Sequence, residues 1–490
     1  MELFEQVFSV GPDGIPVYRA LIGGEWREAD NSHFFEVLNP ADGSLIARVS
    51  ACSVKDTNDA IRSARQALSG LPALQPVKRL EIMSKAREIL LEHVPEMAST
   101  ITRESGKPIS LASSEVKAAA ERLRVTMEEA RVLHGEFIPS GWVEDTEARF
   151  GLVMRHPIGV VASISSFNYP LYIPAAKIIP ALLAGNAVVA KPASDTPLSL
   201  LLFGRILQQA GIPDGSLNIV PGSGAEVGDT LASSPLVDAV SFTGSTAIGE
   251  RIASLAGMKK RHLELGGKAA ALVFPDAILP VAAREICKGS FRNSGQRCDA
   301  ISRVLVHREV KPALLQLLLK EAGNYPLGDP MDPSTALGPL INRKALENVH
   351  RLVSDALEKG ARPLLGAKYE GLFYHPTILD GVTTDMDIAW METFGPVIPV
   401  IEVENMDQAV HLANRSEFGL DSCLFTQDLN HALKVAMRLE DGSVTINAAP
   451  AHGIGAFPFG GNKKSGIGRE GLKYSIDELT RLHTVIFSTS

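Results

Sequence analysis

Residues 159–170 read GVVASISSFNYP, and the apolar run of residues 173–184 follows directly. The first seven residues form a short, uninterrupted run rich in Val and Ile. Such a run is typical of a strand buried on both faces of a sheet. The later run is long enough to form a helix. A buried strand, a polar turn and a helix make up the first part of a βαβ unit, so this stretch predicts a parallel sheet.

The same alternation continues to the end of the chain. Further strands are predicted at residues 186–191, 218–220, 239–242, 269–273, 303–306, 397–403, 423–425 and 443–447. Helices are predicted at residues 197–210, 226–231, 279–291, 312–321 and 343–358. We therefore predict an α/β fold with two open α/β domains and a boundary near residues 265–267.

The N-terminal part has a different pattern. Residues 20–26 predict a hairpin around two glycines, and residues 53–69, 77–94 and 113–135 predict helices, the second stopped or kinked by Pro95. Residues 136–155 lose the helical period and become polar and alternating, which favours a projecting arm. The apolar segment 484–487 predicts a terminal strand.

Composition excludes several classes of protein. With 490 residues and 45% hydrophobic residues, the chain can build the core of two or three domains. A formal net charge of −8 without a basic patch argues against nucleic-acid binding. Four scattered cysteines have no zinc-ligand or CxxC spacing, so neither a metal site nor a disulfide framework is predicted. The N-terminus lacks a secretory pattern, and we expect a cytoplasmic protein.

Cys298 is the first candidate for chemistry. It lies in the polar segment FRNSGQRC, residues 291–298, with Arg297 before it and Asp299 after it. Nucleophilic attack requires a thiolate, and a positive or hydrogen-bonding neighbourhood lowers the pKa of a thiol. We expect such a neighbourhood here. The alternative is that Cys298 is an inert, buried cysteine, the usual state of a free cysteine.

Four other residues could complete a catalytic or nucleotide site, and each has a structural alternative. Glu264 could be a general base if it is partly buried, or an exposed acid at a strand edge. Asn168 could stabilise an oxyanion, or it could be a turn residue before Pro170. Lys191 could use its charge at a strand end, or extend to the surface. Glu392 could be functional or a surface acid.

Glycine-containing turns follow two predicted strands. Gly244 begins the segment GSTAIG, which has the spacing of a phosphate-binding turn before a helix, and Gly224 lies in a second turn. Ligands of open α/β sheets bind at the carboxyl ends of strands, where both turns would lie. A thiol, an oxyanion donor, a carboxylate base and a nucleotide site together suit covalent oxidation of an aldehyde. They do not exclude acyl transfer.

The chain resembles the NAD(P)-dependent aldehyde dehydrogenase superfamily along nearly its whole length. Seven motifs occur in the order of that family: FNYP from residue 167, GN at 185 with KP at 191, FTGS from 242, LELGGK from 263, GQRC from 295, ETFGP from 392, and PFGG from 458 with GRE from 468. The resemblance implies a Rossmann-like cofactor-binding domain at 1–135 and 156–264, a catalytic domain at 265–465, and bridging or oligomerisation segments at 136–155 and 466–490 that include a small β arm. It also implies a homodimer or homotetramer.

The resemblance also implies roles for single residues. Cys298 would be the nucleophile, Asn168 with the Cys298 N–H would hold the oxyanion, and Glu264 would activate water. Lys177 and Glu470 match positions proposed to relay protons. The residues that would bind the cofactor are Lys191, Ser194, Gly224, Phe242, Gly244, Ser245, Leu265, Gly266, Glu392 and Phe394.

Within the superfamily, the chain is most similar to non-phosphorylating glyceraldehyde-3-phosphate dehydrogenases and their lactaldehyde and glyceraldehyde relatives. The resemblance implies that Tyr169, Arg297 and the position of His452 bind the substrate. His452 replaces an arginine of that family, as does Ala118 or Lys117, so an unphosphorylated or differently charged small aldehyde, or one like succinic semialdehyde, is an alternative. Ser194 replaces a carboxylate common in NAD-preferring members, which predicts NADP as cofactor, with NAD also allowed.

Two further interpretations remain. An acyl-CoA-forming reaction would typically lack the Glu264 carboxylate. A non-catalytic structural relative would be expected to lose part of the set formed by Cys298, Glu264 and Asn168, all of which are present.

Overall fold

The computed structural model describes residues 2–69 and 74–489. The strands, in chain order, are β1 (Phe8–Val10), β2 (Pro16–Tyr18), β3 (Ala20–Ile22), β4 (Glu25–Arg27), β5 (Phe34–Leu38), β6 (Leu45–Ser50), β7 (Glu136–Ile138), β8 (Arg149–Pro157), β9 (Val160–Ile164), β10 (Ala187–Lys191), β11 (Leu217–Ile219), β12 (Ala239–Thr243), β13 (Lys260–Glu264), β14 (Ala269–Val273), β15 (Ile301–His307), β16 (Arg362–Leu365), β17 (Tyr369–Glu370), β18 (Phe373–Tyr374), β19 (Thr377–Asp380), β20 (Val397–Val403), β21 (Phe418–Gly419), β22 (Asp421–Phe425), β23 (Ser443–Ile446), β24 (Asn462–Lys463), β25 (Gly466–Ile467) and β26 (Thr480–Ser488). The helices are α1 (Val54–Ala67), α2 (Pro76–Glu92), α3 (Val94–Ser105), α4 (Ile109–Arg131), α5 (Tyr172–Leu183), α6 (Leu198–Ala210), α7 (Asp229–Ser233), α8 (Thr246–Ala256), α9 (Leu279–Phe291), α10 (Lys311–Ala322), α11 (Arg343–Glu358), α12 (Met406–Asn414), α13 (Leu429–Ala436) and α14 (Leu472–Glu478).

The first large sheet has the strand order β25-β13-β12-β9-β10-β11-β3-β4. Its five central strands are parallel, and β25 and the hairpin β3–β4 are antiparallel edges. Side chains of alternate residues pack into two different clusters, Val161 on one face and Val160 on the other, because the helices cover both faces. Strand β9 pairs with β10 on one side and with β12 on the other. The chain runs from β9 to β10 and only later to β12, so the connections leave in opposite directions and a crevice opens at the carboxyl ends of β9 and β12.

The second large sheet has the order β16-β19-β20-β15-β14-β22-β23, with only β16 antiparallel. It too has a core on each face, around Leu272 on one side and Val273 on the other. The prediction of an α/β fold with two open sheets is confirmed. The predicted limits of the domains stay a prediction.

Several elements depart from the predictions. The helix predicted at 77–94 does end close to Pro95, at Glu92, but a second helix, α3, begins at Val94 with Pro95 in its first turn, where the missing N–H leaves no helical hydrogen bond unmade. The helix predicted at 113–135 runs four residues earlier, as α4. Among the elements that the sequence patterns missed are β5, β6, α12 and α14, which are short or carry mixed polar and apolar residues.

The segment 136–155 contains strand β7 and most of strand β8, which agrees with the predicted β arm. Strand β8 pairs with β7 and, over nine residues, with β26 in an antiparallel three-stranded sheet. Apolar side chains on this sheet are exposed, among them Phe137, Leu482 and Ile486. Exposed apolar patches commonly mark interfaces, and the predicted oligomerisation role stays a prediction. The part of the segment 466–490 that precedes β26 does not join this three-stranded sheet. Strand β25 extends the first large sheet, and α14 packs against α4 and α5.

Within the described residues, every helix is too short or too polar to cross a membrane.

Candidate active site

A cavity of about 330 Å³ opens where the two large sheets meet. Its lining includes Cys298, Glu264 and Thr243, the last two from the carboxyl ends of β13 and β12. Strand ends, the face of α4 and the loop after α9 therefore converge on one small space. A cavity of this size accommodates a short substrate.

A loop in an unusual backbone conformation brings Cys298 to this cavity. After α9 ends, Asn293 and Ser294 both have φ of 54°, and Gly295 has φ of 71°. A Cβ at Gly295 would lie 2.1 Å from the Gly395 carbonyl oxygen, so only glycine fits there. Cys52, Cys287 and Cys423 are buried, whereas Cys298 is half-buried and lines the cavity. Cys298 is therefore not a core cysteine, and its role as a nucleophile stays a prediction.

Donors for an oxyanion lie close to Cys298. The Cys298 N–H donates to no other group among the described residues. The Asn168 amide donates one hydrogen bond to the Gln296 carbonyl, at 3.0 Å, and it accepts one from Ser166, at 2.8 Å. These bonds fix the amide beside the Cys298 loop and leave its second N–H for another acceptor. Asn168 itself lies just behind the described residues that form the cavity wall.

The electrostatics around Cys298 differ from the expectation. Burial raises the pKa of the Cys298 thiol well above its ordinary value, and Asp299, Glu264 and Asp421 raise it further. Arg297 acts in the opposite direction and is outweighed. Arg297 therefore does not make the neighbourhood of the thiol positive, because burial and the carboxylates of Asp299, Glu264 and Asp421 oppose it. A cation placed in the site would shift this balance towards the thiolate.

Glu264 is the last residue of β13, which is paired on both sides and is not an edge strand. The side chain is 3% exposed, so the alternative of an exposed acid is wrong. Burial raises the pKa of Glu264 well above its ordinary value, and the charge of Glu470 adds to this. One carboxyl oxygen, Oε1, lies 2.9 Å from His262 Nε2, and the buried Oε2 has no hydrogen-bond partner in the described structure. Such a carboxylate can accept a proton from water.

Lys177 and Glu470 form a buried ion pair with a separation of 3.4 Å. Burial acts against the charge of Glu470, but Lys177 and Arg122 outweigh it and hold the pKa of Glu470 below its ordinary value. Glu470 lines the cavity together with Glu264. The pair therefore lies where a proton released from Glu264 could pass.

The N-terminus of α8 could hold a phosphate group. Ser245 is the N-cap residue and its side chain caps no helical N–H, so the free N–H groups of the first turn face outwards. Gly249 allows the helix to approach the strand closely, since a Cβ there would lie 2.3 Å from Leu265. A Cβ at Gly244 would likewise meet the ring of Phe242, which is buried in the core.

Lys191 ends β10 and is buried, so it does not extend to the surface. Its Nζ donates to the Pro192 carbonyl at 3.1 Å, and burial lowers the pKa of Lys191 to about 8. An ammonium with donors left over suits a hydroxyl or phosphate ligand. The exposed Ser194 lies nearby, and its hydroxyl donates a hydrogen bond to the Gly222 carbonyl at 3.3 Å. Gly224, two residues after Gly222, is also exposed and begins a short helical turn.

Glu392 reaches the same region from the second sheet. Its Oε1 accepts a hydrogen bond from the Gly267 N–H at 3.1 Å, and a Cβ at Gly266 would lie 2.9 Å from Oε2. Burial raises the pKa of Glu392 to about 7. Phe394 has φ of 51° and places its ring 5.8 Å from that of Phe167. A dinucleotide would thus find phosphate, ribose and ring contacts, and the residues present fit that group.

The three residues predicted to bind substrate all line the cavity: Tyr169, Arg297 and His452. The charge of Arg297 is already compensated, because its guanidinium lies 2.6 Å from Asp299. His452 Nε2 lies 3.0 Å from the buried carboxylate of Asp421. Burial opposes a charge on His452, but Asp421 outweighs it and raises the pKa of His452 above its ordinary value.

Sequence reasoning assigned no role to Arg292, which the structure places on the cavity wall. It is exposed and, among the described residues, forms no ion pair or side-chain hydrogen bond. The only sequence signal was its position at the end of α9, six residues before Cys298. Arg292 therefore offers an uncompensated positive charge to a ligand in the cavity.

Asp299, Asp421 and His452 bring one ligand atom each within 4.8 Å of the others. Asp299 pairs with Arg297, and Asp421 pairs with His452, so both carboxylates already have partners within the protein. The sequence predicted no metal site, and that stays a prediction.

Comparisons with known proteins agree with this geometry. A model of the aldehyde dehydrogenase family matches residues 26–485. The chain is 38% identical over 471 residues to the 3-sulfolactaldehyde dehydrogenase of Priestia aryabhattai, covering 96% of this chain and 98% of that protein. It is also 38% identical over 471 residues to the NADP-dependent glyceraldehyde-3-phosphate dehydrogenase of Streptococcus equinus, with the same coverage of 96% and 98%.

A solved structure of NADP-dependent glyceraldehyde-3-phosphate dehydrogenase from Bacillus halodurans C-125, complexed with NADP, superimposes with a TM-score of 0.95. The two chains are 38% identical, and the match covers 96% of this chain and 99% of the other. With one family model spanning most of the chain and relatives similar over their whole length, this chain belongs to the aldehyde dehydrogenase family and is an oxidoreductase that acts on aldehydes.

Proposed function

We propose that the enzyme oxidises a small, anionic aldehyde to its carboxylic acid through a thioester on Cys298, with NADP as cofactor. The observation that carries the proposal is the cavity itself, which Cys298, Glu264 and Arg292 all line. These residues supply a nucleophile, a base and a positive charge within one space sized for a short substrate. Steady-state rates with a panel of charged and neutral short aldehydes test the proposal.

The proposed reaction begins with transfer of the thiol proton of Cys298 to water in the cavity and attack of the resulting thiolate on the aldehyde carbon, whose C=O π bond breaks as the C–S bond forms. The former carbonyl oxygen then carries negative charge, which the Cys298 N–H and the Asn168 amide can stabilise. When bound, the dinucleotide supplies the acceptor for the hydride that leaves this carbon. Lys191, Ser194, Ser245 and Glu392 would hold it. Glu264 next takes a proton from water, whose oxygen attacks the thioester, and Cys298 leaves as the thiolate. Lys177 and Glu470 would carry the proton away.

The cofactor preference is proposed from the site near Lys191. No carboxylate occupies position 194, and the Lys191 ammonium has donors to spare. The two relatives compared above include an NADP-dependent enzyme, and the solved structure holds NADP.

Replacing Ser194 with glutamate is expected to lower kcat/KM for NADP by about 10- to 100-fold, because a carboxylate there repels the 2′-phosphate. The measurement is the ratio of kcat/KM for NADP and NAD. Ser194→Ala, which adds no charge, is the control and should keep the preference for NADP. A wild-type enzyme that strongly prefers NAD would contradict the proposal.

The substrate class is proposed from the charge balance of the cavity. Arg292 is uncompensated, whereas Arg297 is paired with Asp299. The names of both relatives specify aldehydes with an anionic group, a sulfonate in one and a phosphate in the other. A carboxylate, sulfonate or phosphate one or two carbons from the aldehyde would meet Arg292. A neutral hydroxyaldehyde is the alternative, and the pairing of Arg297 with Asp299 and the presence of His452 in place of an arginine favour it.

Replacing Arg292 with glutamine is expected to raise KM for an anionic aldehyde by about 10- to 100-fold, since a charge-assisted hydrogen bond is lost. The effect on kcat should be small, because this contact is made equally before and during the reaction. A neutral aldehyde of equal length should be unaffected. The control is Arg284→Gln, the same change on α9 but outside the cavity. Equal changes for charged and neutral aldehydes would contradict the proposal.

A further inference from the structure

His262 is a buried histidine to which the proposed reaction gives no role. It lies two residues before Glu264 on β13, so both side chains point to the same face of the strand. The imidazole is 7% exposed and contacts Glu264 through Nε2, at 2.9 Å from Oε1. On its other side, Nδ1 lies 3.1 Å from the Ser241 hydroxyl on the neighbouring strand β12.

We propose that His262 is the positioning residue for the general base: it donates Nε2–H to Glu264 Oε1 and leaves Oε2 free to take a proton from the attacking water. This inference rests on the role proposed above for Glu264. Ser241 donates its hydroxyl hydrogen to Nδ1, which keeps the proton of the imidazole on Nε2, the nitrogen that faces Glu264.

The position of the ring supports this assignment. Glu264 lines the substrate cavity, whereas His262 lines a separate cavity of about 10 Å³ behind it, together with Lys177, Ser241 and Glu470. His262 therefore holds the carboxylate from behind and cannot contact the substrate. A Cβ at Gly468 would lie 3.0 Å from the ring, so the imidazole is closely packed and has little freedom to turn.

The charge state of the imidazole suits the same role. Burial lowers the pKa of His262 to about 4, and Lys177 and Lys260 act in the same direction. Glu470 and Glu478 act against them and are outweighed. At neutral pH the ring is uncharged, so it orients the carboxylate by one hydrogen bond without the full positive charge that would make Glu264 a weak base.

The inference is tested by separating acylation from deacylation. Rapid mixing measures the first turnover of NADPH formation, and the steady-state rate reports deacylation where that step is slow. His262→Leu, which removes the donor, is expected to slow deacylation by about 10- to 100-fold and to leave the first turnover within about twofold. His262→Gln can still donate to Glu264 and should remain within about fivefold of wild type.

Two further variants guard against a loss of folding. His262→Asn keeps a polar group near Ser241 but is too short to reach Glu264, and it should behave like His262→Leu. Ser241→Ala should slow deacylation by about threefold. Its matched control is Ser163→Ala on β9, which is paired in register with Ser241 and is equally buried, but its hydroxyl has no partner in the described structure. That control should not change the rate.

The pH profile gives a readout that a merely structural role would not move. Loss of a donor to the carboxylate disfavours its charged form, so the midpoint of deacylation should shift to higher pH in His262→Leu and stay in place in His262→Gln. A deacylation rate and midpoint unchanged in His262→Leu would overturn the inference, as would His262→Gln being as slow as His262→Leu. Glu264→Gln separates the two proposals. If it stalls deacylation while the His262 variants do not, only the positioning role fails. If Glu264→Gln does not stall, the base itself is misassigned.

Discussion

Cys298→Ala is expected to abolish aldehyde oxidation, with kcat/KM falling by at least about a thousandfold. The cavity has one thiol on its wall, and the other three cysteines are buried away from it within the described residues. Without Sγ there is no thiohemiacetal and no thioester, so the reaction cannot be divided into two easier steps. The measurement is NADPH formation with the best aldehyde of the panel.

Two controls make this result specific. Cys298→Ala should bind NADP with an affinity within a few-fold of wild type, since the proposed cofactor contacts lie on β10, α8 and Glu392. Cys423→Ala makes the same substitution in a cysteine buried in the second sheet, and it should retain activity if its folding is confirmed by thermal unfolding. Normal turnover by Cys298→Ala would mean that another group is the nucleophile.

Glu264→Gln should leave the first turnover nearly intact and then stall. The amide cannot accept the proton of the attacking water, so the thioester should accumulate and deacylation should slow by about 10²- to 10⁴-fold. A burst of about one NADPH per subunit, followed by a slow phase, is the kinetic signature. Mass spectrometry of the quenched protein should show the added acyl group on Cys298. Glu417→Gln is the control, since Glu417 is an exposed acid that pairs with Lys464.

If Glu264 is the base as proposed, it should also set the pH dependence of the wild-type enzyme. Burial and Glu470 raise the pKa of Glu264, and a base acts only when it is deprotonated. The deacylation rate should therefore fall as pH decreases through this raised pKa, at a higher pH than an ordinary glutamate would show. A rate that stays constant down to pH 5 would exclude Glu264 as the base, as would turnover by Glu264→Gln at the wild-type rate.

Much of the fold was predictable from local sequence. Strands such as β9, β10 and β14 are short runs of apolar residues, and helices such as α9 and α11 were located to the residue. The limits of strands with mixed polar and apolar residues, such as β8 and β26, were not predicted. A strand that is half exposed depends on its partner for stability. Charge was the least predictable property. The pKa of Cys298 depends on Asp421, which is more than 120 positions away in the chain and reaches the site only through β22.

The sequence by itself determined the parallel α/β architecture, the loop that carries Cys298, and the strand end on which Lys191 lies, whereas the strand that ends at Glu264 was not predicted. These depend on hydrophobic periodicity and turn residues, which act between near neighbours. Only the tertiary structure decided that burial and carboxylates outweigh Arg297 around Cys298, that Arg292 lines the cavity without an ion-pair partner among the described residues, and that His262 contacts Glu264. Burial and electrostatic interactions depend on which distant segments pack together, and no local pattern records that.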